Sequence, residues 1–319
     1  MSGEPSGYLH PAYAFSFDDI ATPRELPACG AWFLERRVVG SELRDGMGCY
    51  PLFCCRDWTR LPNDLADLAA QLVSFTIVTD PFGQFTLEDL RRAFDVVRPY
   101  KRHYVTDLVS DTGVPISRSH KRNTAKAVRS VVLDRVQEPT TLSDTWVELY
   151  EDLVERHGLT GLHAFSPRCL ERQLSVPGLR MFSATAKGDV VGLHLWYVQG
   201  DVAYGHLGAT SQLGSELMAS YGLYAFAIEQ LRREVRWLAL GSAPGETESD
   251  AGHGLRRFKQ GWATATRQAY LCGKVLQPDA YNRLAGGAPA ESAYFPAYRL
   301  GEFAHGEPVR QRRGTDPEG

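Results

Sequence analysis

The chain has 319 residues, 43% hydrophobic and 23% charged, a composition that can bury a globular core without disulfides or metals. Its 35 basic and 38 acidic side chains give a formal net charge of −3, which excludes a general polyanion binder and leaves room only for a local basic patch. No stretch approaches the ~18 apolar residues that suggest a membrane span, and residues 1–8 show neither a basic nor an apolar leader region, so no signal peptide is expected.

From the N-terminus, residues 31–39 and 49–56 read as strands. Asn63 caps a short helix to Leu72, and 73–79 is a buried strand closed by Asp80-Pro81-Phe82-Gly83. Thr86 caps a helix containing Leu87, Leu90, Phe94 and Val97, and 101–109 is the next strand. Ser117 or Ser119 caps a basic helix to Arg129, followed by a strand over 131–136. Ser143 then caps a helix with Trp146, Leu149, Tyr150, Leu153 and Val154 along one face, and Gly158 ends it. Strands over 180–186, 190–198 and 202–207 form a meander with turns at Gly188-Asp189 and Gly200-Asp201. A long helix over 215–233 carries the stripe Leu217, Tyr221, Tyr224, Ile228 and Leu231. A strand over 236–240, a loop over 241–252, a short helix over 255–261 and a strand over 267–275 complete the order.

A meander joined to one parallel crossover makes a mixed sheet. The two segments of similar strand and helix content predict an α/β chain of two domains, 1–137 and 138–305, with a disordered tail at 306–319. Cys29, Cys49, Cys54, Cys55, Cys169 and Cys272 lack C-x-x-C pairing or repeated spacing, so reduced, mostly buried thiols, a cytoplasmic location and no metal site are expected.

The stretch 241–262 concentrates the chemistry. Gly241, Gly245, Gly252 and Gly254 allow unusual backbone angles and close approach of a ligand, and Arg256, Arg257 and Lys259 stand behind them near a helix start. Such a start with cations suits a phosphate or a developing oxyanion; the plain alternative is a solvated loop and basic turn. Tyr204 and His206 share one strand face, as do His194 and Trp196, and each pair is either a satisfied core network or a site wall. His120, Lys121, Arg122, Lys126 and Arg129 make one helix basic, just after Lys101, Arg102 and His103. This patch suits nucleotide or tRNA phosphates, or is a solvated helix face. No Walker loop, G-x-G-x-x-G, H-E-x-x-H or G-x-S-x-G occurs, so neither a P-loop nor a covalent serine enzyme is indicated.

Four pieces resemble the Fem-type branch of the GNAT acyltransferases: V-V-G-L-H-L-W-Y-V-Q-G-D-V-A-Y-G-H-L-G-A, A-S-Y-G-L-Y-A-F-A-I, L-A-L-G-S and, most specific, G-L-R-R-F-K-Q-G-W. Y-V-T-D-L followed by S-x-S-H-K-R-N is similar to the joint between that family's two GNAT units. The resemblance covers residues 104–275 and implies two tandem GNAT-like domains and transfer of an aminoacyl group from aminoacyl-tRNA to an amine acceptor. Acyl-CoA is the alternative donor, and a non-catalytic role in polysaccharide synthesis is the third reading. Acetyl-CoA enzymes carry Q/R-x-x-G-x-G/A before the long helix; here S-Q-L-G-S-E-L-M-A-S keeps only Gly214, and Glu216 repels phosphate, which favours tRNA over CoA. No heptad repeat marks a coiled-coil arm.

The resemblance implies that Lys259 stabilises the oxyanion or departing 3′-oxygen and that Phe258 shapes the acyl pocket. His206 or Tyr204 is expected to relay a proton, and Lys121 and Arg122 to hold acceptor or tRNA phosphates. Tyr221, Trp196, Gly241 and Arg256 complete the expected substrate-binding set, with no bound cofactor.

Overall fold

The computed structural model describes residues 3–109, 116–161, 164–242, 250–286 and 294–302. The stretch 243–249 of the glycine-rich loop and the tail expected to be disordered lie outside the described residues. In chain order the elements are α1 (Pro11–Phe15), β1 (Thr22–Leu26), β2 (Ala31–Arg37), β3 (Arg44–Gly48), α2 (Leu61–Leu68), β4 (Ser74–Val78), α3 (Leu87–Ala93), β5 (Val96–Asp107), α4 (Arg118–Ser130) and β6 (Val132–Val136). Then follow α5 (Ser143–His157), α6 (Pro167–Gln173), β7 (Leu179–Ala186), β8 (Asp189–Gln199), β9 (Val202–Thr210), α7 (Gln212–Glu216), α8 (Ala219–Leu231), β10 (Trp237–Gly241), α9 (Asp250–Gln260), β11 (Ala265–Val275) and α10 (Pro278–Ala285).

The eleven strands of the described residues form one mixed sheet in the order β1-β2-β3-β4-β11-β5-β10-β9-β8-β7-β6. Among these strands only β3/β4 and β9/β10 are parallel. The two halves share a pattern: a run of antiparallel strands, three in the N-terminal half and four in the C-terminal half, then one parallel partner and one further antiparallel strand. In the N-terminal half that last strand is β11, and in the C-terminal half it is β5. Each half thus completes its sheet with a strand from the other, and β5 and β11 pair with each other at the centre. The fold class is the expected α/β with a mixed sheet.

Helices cover both faces. On one, α2 and α3 pack Leu61, Leu65, Leu68 and Leu90 onto Phe33, Phe53 and Phe75. Beside them α8 buries Leu223, Ala227 and Leu231 over Phe182, Trp196 and Leu238, with Trp262 from the turn after α9. On the other, α5 buries Trp146, Leu149 and Tyr150 as their spacing along one helix face predicts, and Gly158 closes it at φ 57°. Trp146, Trp196 and Trp262 are fully buried, and truncating such a ring costs about 3–5 kcal/mol.

Several local expectations are corrected. Residues 49–56 make no strand, because Pro51 has no N–H for a ladder and only the isolated bridges Ala31↔Cys55 and Phe53↔Thr79 remain. The helix after Thr86 stops at Ala93: Phe94 is already extended, and Val97 lies in β5. The helix expected over 215–233 is two, broken at Met218 with φ 62°. Among the described residues no helix is long and apolar enough to cross a membrane.

Candidate active site

The parallel partners β9 and β10 hold together only over Val202–Tyr204 and Trp237–Ala239. Beyond that, β9 runs on to Thr210 while β10 ends at Gly241 opposite Tyr104 of β5. A wedge therefore opens between β9 and the first part of β5, with Gly241 at its apex. Among the described residues, no strand fills it.

Lys259, in the last turn of α9, reaches this apex. Its Nζ donates to the Ser242 carbonyl at 2.7 Å. Gly241 makes the approach possible twice over: its φ is +78°, and a Cβ there would stand 3.0 Å from the ammonium. Burial, then the nearby Lys101 ammonium, lowers the Lys259 pKa to about 8. Two buried histidines feel the same charge. Burial and then Lys259 lower His194 to about 3; burial, Lys259 and Lys101 do the same to His103. Both rings are neutral at physiological pH. His194 reaches across Gly208 of β9, where a Cβ would meet its ring at 2.9 Å, and its Nδ1 accepts from Trp196 Nε1 at 3.2 Å.

The end of α9 is fixed from behind by α4. Ser117 caps α4 by accepting from the His120 amide. The His120 ring accepts at Nδ1 from the Ser117 hydroxyl at 2.7 Å and donates from Nε2 to the Phe258 carbonyl at 2.8 Å. Tyr221, Phe258 and Trp262 surround that ring. A Cβ on Gly261 would lie 2.2 Å from it, so glycine is needed there.

Two cavities flank this construction. One, of about 530 Å³, lies between α4 and α9 and is lined by Ser117, Ser119, His120, Tyr221, Arg257 and Phe258, among others. The second, of about 390 Å³, lies over β3, β4, β11 and β5 and includes His103, Lys101 and Ser242 in its wall. Lys259 follows a residue of the first wall and bonds to a carbonyl of the second.

No protein-family profile and no curated protein matches the sequence. Solved structures do resemble the molecule. FemX superposes with a TM-score of 0.60 at 13% identity, covering 79% of this chain and 86% of that one. The C-terminal domain of a putative lysylphosphatidylglycerol synthetase from Agrobacterium fabrum gives 0.61 at 16% identity, over 82% and 87%. L-PGS from Bacillus licheniformis gives 0.57 at 13% identity, over 85% and 94%. The chain has a Fem-like fold.

In this Fem-like fold the residues singled out from the sequence divide into groups. Gly241, Phe258, Lys259 and Tyr221 come together at the apex and the α4–α9 cavity. Arg256, Lys121 and Arg122 are exposed on the same two helices. Trp196 is fully buried behind His194 and Tyr224. Tyr204 and His206 sit in a different cluster. The Tyr204 hydroxyl donates to Asp80 Oδ2 at 2.8 Å; His206 Nε2 donates to Gln173 Oε1 at 2.9 Å, and its Nδ1 accepts from the Tyr8 hydroxyl at 3.2 Å. Burial, then His194, lowers His206 to about 3, so it is a neutral core residue with both nitrogens engaged.

In the sequence His103 and Lys101 stand out only as parts of a basic run, and nothing there marks the contact of His120 with the Phe258 carbonyl. Their signal was the alternation of Lys101 and His103 along one strand face.

The turn that cradles pyrophosphate in CoA enzymes is a short helix here. Its amides are bonded inside it: Gly214 N–H to Ser211 Oγ, Ser215 N–H to the Ser211 carbonyl, and Leu217 N–H to the Leu213 carbonyl. A Cβ on Gly214 would stand 2.1 Å from the Val191 carbonyl oxygen, so this glycine serves packing against β8.

Proposed function

We propose that the protein is an acyltransferase that moves an aminoacyl group from aminoacyl-tRNA to an amine, forming an amide. The observation that carries this is the Lys259 ammonium at the apex of the wedge, held by the Ser242 carbonyl against a glycine. It is part-buried, bears no carboxylate partner among the described residues, follows Phe258 of the first cavity's wall and bonds to Ser242 of the second's. A preorganised cation of this kind suits an oxygen that gains negative charge during transfer.

In the reaction the acceptor nitrogen attacks the ester carbonyl, a C–N bond forms and the C–O bond to the tRNA 3′-oxygen breaks. The proton leaving nitrogen ends on that 3′-oxygen. Lys259 faces the charge that develops on the carbonyl and leaving oxygens, and Phe258 lines the acyl side. His120 is a positioning residue that holds the Phe258 carbonyl. The exposed Lys121, Arg122, Arg256 and Arg257 beside the α4–α9 cavity favour a phosphate-rich donor on that side. The internally bonded Gly214 turn supports tRNA over CoA as that donor. Such an enzyme works in the cytoplasm, where charged tRNA is found, on an amine acceptor of the cell-wall or antibiotic type.

The test is incubation with charged tRNAs and an amine panel, read by mass spectrometry, beside the same panel with acetyl-CoA. Products from charged tRNA, reduced about 10²–10³-fold in a folded Lys259→Met variant, are expected. Products from acetyl-CoA alone would reject the donor, and wild-type turnover in Lys259→Met would reject the site.

A further inference from the structure

The 390 Å³ cavity is built unlike an ordinary crevice. Among the described residues, six buried side-chain polar atoms lack a hydrogen-bond partner, and three of them belong to its wall: Arg36 Nε, which has the Asp45 carboxylate at 3.7 Å, and Thr76 Oγ1 and His103 Nδ1. Leaving a buried polar atom without a partner is unfavourable, so Thr76 Oγ1 and His103 Nδ1 on one cavity point to a ligand that supplies their partners. His103 is only 6% exposed.

The charges point the same way. Four cations line this space: Arg36, Arg98, Lys101 and Arg299. Asp45 and Glu302 pair with Arg299 and Arg36. Arg98 and Lys101 have no carboxylate partner among the described residues; Lys101 Nζ lies 5.1 Å from the Tyr100 ring centroid and stands close enough to Lys259 and His103 to depress both. Much of the remaining wall is apolar or aromatic, including Met47, Ile77, Leu271 and Phe295. A volume of this size suits a metabolite rather than a polymer.

We infer that this cavity is the acceptor site, and that the acceptor is a compact amine with an apolar body and one anionic group, a carboxylate or a phosphate ester, held by Arg98 and Lys101. The identity of the ligand as acceptor rests on the acyl-transfer reading; the anion site itself does not. With the anion drawn towards Arg98 and Lys101, the His103 ring and the Thr76 hydroxyl are left to satisfy the ligand's other polar atoms. The amine then lies on the Ser242 side, beside Lys259.

Titration calorimetry on the full chain tests this with L-phenylalanine, phenyl phosphate and phenethylamine as probes. At least one anionic probe is expected to bind with a Kd below about 1 mM, at least tenfold more tightly than phenethylamine. The tighter of the two anions tells carboxylate from phosphate. Arg98→Gln/Lys101→Gln is expected to weaken the anionic probes at least tenfold, and Arg98→Gln alone, at a part-exposed position, to weaken them in the same direction with an unchanged thermal melt. The site is rejected if neither anion binds saturably by about 10 mM, if phenethylamine binds as well, or if folded variants bind like wild type. These are binding measurements and need no turnover. Anion binding in a protein whose Lys259→Met variant keeps full transfer would reject the acyl-transfer site and leave the anion site standing.

Discussion

At Gly241 a backbone requirement and an electrostatic one fall on the same atom. The residue adopts φ +78°, and the space a methyl group would take is where Lys259 Nζ sits. Gly241→Ala is therefore expected to lower stability by about 1–2 kcal/mol from the left-handed backbone alone, and to displace the ammonium. Thermal melts and transfer rates should show a small drop in Tm and a disproportionate drop in kcat. The Lys259 pKa of about 8 gives a second outcome. The charged form is present below that value and lost above it, so transfer should show an alkaline limb near pH 8. Lys259→Arg, charged at every accessible pH, should move that limb upward while retaining part of the rate. Lys259 and Phe258 are singled out in the sequence by the resemblance of G-L-R-R-F-K-Q-G-W to the Fem-type branch. The neighbours that set the lysine's pKa are not: Lys101 comes from a strand more than a hundred residues away, and only the β5–β10 and β5–β11 pairings bring it near.

At the level of elements, α4 and α9 are joined through one imidazole. His120 ties the α4 cap to the Phe258 carbonyl and packs where Gly261 has no side chain. Gly261→Ala should force the ring aside and cost about 1–3 kcal/mol, seen as a lower urea midpoint with an unchanged m-value. Elements with long periodic faces, such as α5 and the β7–β9 meander, could be read directly from residue spacing. Those that escaped had weak or contrary signals. Helices α1, α6 and α10 are short and begin with Pro11, Pro167 and Pro278, where proline starts a helix instead of ending one. Strand β1 contains Pro23, which an edge strand tolerates. The split between α7 and α8 depends on Met218 adopting φ 62°, a conformation sequence gives little reason to expect of methionine.

Across the whole molecule, His103, His194 and His206 are all buried and held near pKa 3, against an ordinary 6.5. Between those values the unfolded chain binds more protons than the folded one. Their contribution to stability is thus complete above pH 6.5 and is lost as pH falls from 6.5 towards 3. Denaturant midpoints should fall progressively through that window, and His194→Gln should flatten the slope even where it lowers the plateau. The exchange of β5 and β11 between the two halves has a different consequence, one that concerns synthesis. While the chain emerges from the ribosome, β5 has no neighbour until residues 237–241 appear, and β4 and β5 each keep a bare edge until residues 265–275 follow. Most of the sheet must therefore be made before its centre can close, which leaves exposed strand edges open to wrong partners during the slowest, most non-local step of folding.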